Sequence, residues 1–262
     1  MKDFLTKILE WLSSLFKEKN EVIISVGTPG ENDLPPFSGT IIESEPKEIE
    51  VNKNVKILID NGHGNDTIGK KSPYSMNGEE PAIEFEEWDW NRQISHMVVN
   101  RLKNLGYNAA FLVTEVKDIS LKERVKRVNA ICDDIGTKNV ILVSIHSNAS
   151  GDGTKWCKPH GWSAYTTKGK TNSDKLAEYF YDEAETLYDK KNIRTDMSDD
   201  DRDFEEDFYI IKKSKCVAVL TENFFYDNIS DASYITTEKG KQEIADLHVN
   251  AISKYINDNF QE

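Results

Sequence analysis

The sequence predicts an α/β domain over residues 54–262: a single mixed, largely parallel β-sheet flanked by helices, preceded by an amphipathic helix and a tether. Three observations carry this. Short apolar runs such as "VKILID" and "NVILVSIH" read as buried strands and alternate with stretches whose apolar residues recur at helical spacing. The helical stretches carry start and stop signals of their own. And three of the apolar strands stop at ionisable residues, which is where open α/β sheets collect ligands.

Taken in order, residues 1–18 place Phe4, Leu5, Ile8, Leu9, Leu12, Leu15 and Phe16 on one helical face. The plain reading is a helix docked on its own domain or on a second copy. The sharper one is attachment at a membrane interface, through Trp11 and the lysines. Asp3, Glu10 and Glu18 dilute the basic character that anionic lipids favour, so the plain reading comes first. Residues 19–53 read as a linker, interrupted by Pro29, Pro35, Pro36 and Pro46. From Val55 the pattern is regular. "VKILID" is a strand, Glu87 to Leu105 a helix stopped by Gly106, and "NAAFLV" a strand. Ser120 with Glu123 forms a capping box that opens a helix to about Asp134. "NVILVSIH" and "GWSAYTT" are strands, and Ser173 to about Lys190 is a helix. "FYII" and "CVAVLTEN" are strands, and a last helix covers about Glu238 to Ile256.

Composition narrows the function. The chain has 262 residues, 38% hydrophobic, and a net charge of −13. Such an acidic chain is a poor partner for a phosphate backbone, so no nucleic acid is expected. Three cysteines, Cys132, Cys157 and Cys216, fit no disulfide framework and are expected as reduced thiols. The first residues do not read as a signal peptide, because Lys7, Glu10 and Lys17 break the apolar run. The expectation is a protein made in the cytoplasm and delivered by another route, such as phage-type release through a membrane lesion.

The strand ends give the chemistry its place. "ILIDNGH" ends in Asp60 and His63, "ILVSIH" in His146, and "AVLTE" in Glu222. Two histidines and a carboxylate are the usual ligands of a hydrolytic zinc, with a fourth position left for water. Gly62 and Gly64 remove bulk beside His63, which would let a metal and a substrate approach the backbone. "AIEFEEWDWN" offers Glu84, Glu86 and Glu87 as the third ligand, although acidic residues before a helix commonly serve its dipole.

These segments resemble the zinc-dependent N-acetylmuramoyl-L-alanine amidases, the type-3 amidases of peptidoglycan turnover and phage lysis. The resemblance runs from about Val55 to Ile256 through five segments in the family's order: "ILIDNGHGNDTIGKKSP", "EWDWNRQISHMVVNRLKNLGYNA", "SLKERVKRVN", "VSIHSNA" and "AVLTENFFYDN". It implies Zn2+ on His63, Glu87 and His146, with Glu86 the neighbouring alternative to Glu87. It implies Glu222 as the catalytic carboxylate and peptidoglycan as the substrate, cleaved between N-acetylmuramic acid and L-alanine. Asp60, Asn148 and Arg124 are matched as well. Asp60 either orients an imidazole or ends its strand, Asn148 either meets substrate or serves a turn, and Arg124 either supports the site or makes a surface ion pair. The sequence departs from the family at Asn61, Asn65 and Asn223, which concerns loop shape and substrate fit more than the metal.

Other readings are weaker. A zinc carboxypeptidase on stem peptides would need an Arg cluster for the substrate carboxylate, and none is evident. A non-catalytic cell-wall-binding module on a degenerate scaffold would not need both histidines and Glu222. "CKPH" has zinc-like spacing but no second pair. The acidic run 196–207 reads as a solvated loop, and His248 as a core-facing histidine.

Overall fold

The computed structural model describes residues 54–260. The expected helix over 1–18, with its membrane or self-association role, and the linker over 19–53 lie outside the described residues. The order is β1 (Lys56–Asn61), α1 (Pro73–Asn77), α2 (Glu87–Asn104), β2 (Asn108–Phe111), α3 (Leu121–Ile135), β3 (Val140–Asn148) and β4 (Ser163–Thr166). Then follow α4 (Asn172–Leu187), β5 (Phe204–Glu205), α5 (Tyr209–Lys213), β6 (Val217–Phe225), α6 (Ile229–Ile235) and α7 (Glu238–Asn259).

The strands form one sheet in the order β2-β1-β3-β6-β4-β5. β1 pairs in parallel with β2 and β3, and β3 with β6, whereas β4 runs antiparallel to β6. The central strands are apolar at nearly every position because both faces are covered. Ile57, Ile59, Val143 and Val219 pack into the cluster holding Ile94 and Val98 of α2, Phe180 of α4 and Ile252 of α7. Leu58, Leu142 and Leu220 point the other way, into the cluster of Val128 and Cys132 of α3 and Ile210 of α5. The single mixed, largely parallel sheet is the architecture the sequence predicts. All three cysteines are free thiols.

Two expectations need correcting. "FYII" is not a strand: Tyr209–Lys213 closes a short helix whose Ile210 and Ile211 are buried under α3. A four-residue apolar run looks the same in either conformation. The run 196–207 is also not simply solvated. Asp203 is buried and accepts a hydrogen bond from the Thr166 hydroxyl at 2.6 Å, and burial pushes its carboxyl up to about 7. Arg202 turns outward to Glu178 and Asp182.

His248 of α7 faces the core as expected. Its Nδ1 lies 2.7 Å from the Ile244 carbonyl, which can only accept, so Nδ1 carries the proton and Nε2 accepts from the Thr221 hydroxyl at 2.9 Å. Burial holds this imidazole down to about 4 from an ordinary 6.5. Between those values the unfolded chain takes up a proton that the folded one refuses. Stability from this group is therefore present above pH 6.5 and is lost as pH falls toward 4, by about 3 kcal/mol in all. Urea unfolding at a series of pH values should show that loss, and His248→Gln should flatten it in that window.

Candidate metal and catalytic site

β1, β3 and β6 present one sheet face that is apolar along its length and polar at its carboxyl end. Leu58 is followed on that face by Asp60, Leu142 by Ser144 and His146, and Leu220 by Glu222. Register completes the arrangement. Asp60 stands beside Ser144, and His146 beside Glu222. β3 and β6 shift register just past His146, between it and Asn148.

Glu87 enters from the start of α2. It is 1% exposed, with Oε1 3.0 Å from His146 Nδ1 and accepting the Ser147 N–H at 3.2 Å. Its Oε2 lies 3.3 Å from His63 Nε2 and has no hydrogen-bond partner. The two imidazoles meet edge to face with centroids 5.0 Å apart. Burial alone would raise the Glu87 carboxyl, but the hydrogen bond of His146 and the closeness of both imidazoles outweigh it and hold it well below the ordinary range. Burial lowers His146, against the pull of Glu87.

Ligand atoms of His63, Glu87 and His146 all lie within 4.8 Å of one another, and among the described residues no other group of three His, Cys, Asp or Glu does so. Two imidazoles, one carboxylate and an orphaned buried oxygen fit a divalent transition ion. Glu86, the neighbouring alternative, is turned away: its carboxylate takes Lys71 Nζ at 2.5 Å and Trp88 Nε1 at 2.7 Å. Glu222 stands next to His146 with Oε2 buried and unpartnered. Burial pushes its carboxyl well above the usual range, the charge of Glu87 adds to that, and the Lys70 ammonium opposes it.

The loop bearing His63 is held by its carbonyls. His63 adopts a left-handed backbone, φ 66°, a conformation that costs about 1 kcal/mol or more for a residue with a side chain. Arg124 donates to the carbonyls of Asn61 and His63, each at 3.2 Å. Asn91 donates to that of Gly62 at 3.1 Å, and Arg92 to that of His63 at 3.1 Å. Arg124 is itself buried and fixed by Asp60 at 2.5 Å, while Asp60 also accepts from the Ser144 hydroxyl at 2.6 Å. So Asp60 does not hydrogen-bond an imidazole. It acts through Arg124, which is no surface ion pair. Asn148 Oδ1 accepts the Ala149 N–H at 2.8 Å. Asn223, one of the departures, is buried: it donates to the His146 carbonyl at 2.9 Å and accepts from Trp162 Nε1 at 3.0 Å. Reading the sequence missed Arg92 and Asn91, because their acceptors are carbonyls and leave no mark in the residue pattern. The one available signal was their position four and five residues after Glu87, one helical turn on.

The glycines do a different job from the expected one. A Cβ on Gly62 would lie 2.0 Å from His146 Cε1, and one on Gly64 would lie 2.0 Å from Asp118 N. Gly62 makes room for a ligand side chain, and Gly64 for the neighbouring loop.

The family profile for N-acetylmuramoyl-L-alanine amidases matches residues 57–254. The chain belongs to that family. It is 30% identical over 200 residues to the Bacillus subtilis (strain 168) protein YqiI, covering 76% of this chain and 84% of that one. It is 27% identical over 206 residues to the Bacillus licheniformis N-acetylmuramoyl-L-alanine amidase CwlM, covering 78% of this chain and 69% of that one. The fold matches the crystal structure of an N-acetylmuramoyl-L-alanine amidase from Clostridium difficile 630, with a TM-score of 0.64, 24% identity, and coverage of 80% of this chain and all of that one (100%).

Gly62→Ala should push His146 out of line. Metal affinity, read by competition with a chromogenic chelator, is expected to fall at least tenfold while the far-ultraviolet circular dichroism stays that of the parent. Arg124→Ala should strand the buried Asp60 charge and lower the unfolding free energy by roughly 3–5 kcal/mol, measured in urea.

Proposed function

We propose that the protein is a zinc amidase that hydrolyses the bond between the lactyl carbonyl of N-acetylmuramic acid and the nitrogen of L-alanine in peptidoglycan. The observation that carries this is the convergence of His63, Glu87 and His146 beside an unpartnered Glu222, in a chain of the amidase family. His63, Glu87 and His146 would hold the zinc. When bound, the ion polarises the scissile carbonyl and lowers the pKa of water.

The residues of the chain do the rest. Glu87, buried and ionised, offsets positive charge at the centre and ties α2 to β3 through Ser147. Glu222 takes a proton from the attacking water and delivers it to the departing nitrogen, so the amide and water become a carboxylic acid and an amine. A carboxyl pushed up by burial suits that exchange, because it must both accept and return the proton near neutral pH. The Arg124, Arg92 and Asn91 donors keep His63 aimed, so the site is formed before substrate arrives.

Digestion of purified muropeptides, read by mass spectrometry, tests both bond and metal. Glycan should separate from an intact stem peptide, stop on chelation and resume on addition of zinc. Glu222→Gln should keep zinc and lower turnover by roughly 10²–10⁴-fold. Release of L-alanyl peptides by that variant at the parent rate would overturn the assignment of Glu222.

A further inference from the structure

Lys70 and Lys71 leave the chain in opposite directions. Ser72 N donates to the Phe85 carbonyl at 3.0 Å and Glu87 N to the Lys70 carbonyl at 2.9 Å. These two bonds flank Lys71 and Glu86, which face each other across an antiparallel bridge. Side chains alternate along extended backbone, so Lys71 and Glu86 share one face and pair there at 2.5 Å. Ser72 and Phe85 share the other face, and both are buried. Lys70 stands opposite Glu87 on that same inner face, and Glu87 points at the two imidazoles. The Lys70 side chain is therefore directed to the metal side of the bridge. Its charge reaches Glu222, where it opposes the upward push of burial and of Glu87.

Three neighbouring cations are engaged by acceptors, and Arg194 stacks over Phe204 and Phe225. Lys71 holds Glu86, Arg124 holds Asp60 and Asp118, and Arg92 holds the carbonyls of His63, Trp88 and Glu115. Lys70, partly exposed, has no ion pair or side-chain hydrogen bond among the described residues. An unpaired ammonium at the rim of a site that contains two carboxylates, on a chain of net charge −13, is a local feature that would attract an anionic substrate.

We propose that Lys70 is a specificity residue: its ammonium binds a free carboxylate on the peptide part of the substrate, next to the amide being cut. This rests on the amidase reading above. A carboxylate is the matching chemistry because the ammonium is a compact point charge that gains most from an ionised acceptor. A neutral carboxamide at the same place would gain little.

Two synthetic N-acetylmuramoyl dipeptides separate the cases. Both carry L-alanine followed by an acidic amino acid whose side-chain carboxyl is capped as an amide, one with its α-carboxylate free and the other with that group as a carboxamide. Lys70→Gln should raise KM for the carboxylate form about tenfold, leave kcat within about twofold, and leave the carboxamide form unchanged. Lys70→Arg should restore most of the loss. Calorimetric titration of the zinc-loaded Glu222→Gln protein, with and without Lys70→Gln, should show the same tenfold difference in binding without turnover. Equal losses on both dipeptides would mean that Lys70 serves Glu222 alone and would overturn the proposal. So would no change on either. If the zinc-loaded parent cleaves neither dipeptide, the amidase reading fails, while the binding titration still decides whether Lys70 recognises the carboxylate.

Discussion

A carboxylate with no access to water has to be compensated from within, and Glu87 is that carboxylate. Isolated, a buried charge of this kind is prohibitively costly and would take up a proton instead. Here two imidazoles and a backbone N–H face it, and they keep it ionised against the pull of burial. The compensation comes from two places in the chain, the turn after β1 and the end of β3, and it has to meet the first residue of α2. The packing of α2 on the sheet, the register of β1 on β3, and the glycine that clears space for His146 are all conditions for that meeting.

The same logic runs one layer out. The His63 loop has a left-handed turn that its sequence does not favour, and it is maintained by four hydrogen bonds to three successive carbonyls. Arg124, which makes two of those bonds, is itself a buried charge and needs Asp60 in its turn. Asp60 in turn is positioned by β1 and bonded by Ser144 of β3. A chain of buried polar groups, each satisfied by the next, thus connects the sheet to His63. Such networks are stabilising only when complete, which makes the site rigid and also makes it vulnerable to single changes.

Glu222 is the counter-example. It sits one strand away from His146, in register with it, and its buried oxygen is left without a partner. Elsewhere in the core an unpaired carboxyl oxygen would be a defect. Next to the three groups that could hold a metal, it fits the proton carrier of the proposed reaction.

How much of this was legible in the sequence depends on the range of the interaction. Apolar runs and helical spacing fix β1, β3, β6, α2 and α7, because burial on two faces or on one stripe leaves a periodic trace. The short α5 was misread, since four apolar residues have no period to measure. His63, His146 and Glu222 were visible as ionisable residues at strand ends, and Asp60 and Arg124 as matched positions whose roles stayed open. The register between His146 and Glu222, the choice of Glu87 over Glu86, the service of Asn91 and Arg92 to backbone carbonyls, and the true reason for Gly62 were decided only in three dimensions. Those depend on distances between segments far apart in the chain, and a one-dimensional pattern records which residues are available without recording which of them meet. The sequence by itself determined the donors and the layered fold; the tertiary structure chose their partners, because only packing sets which carboxylate lies between two imidazoles and which turns outward to a lysine.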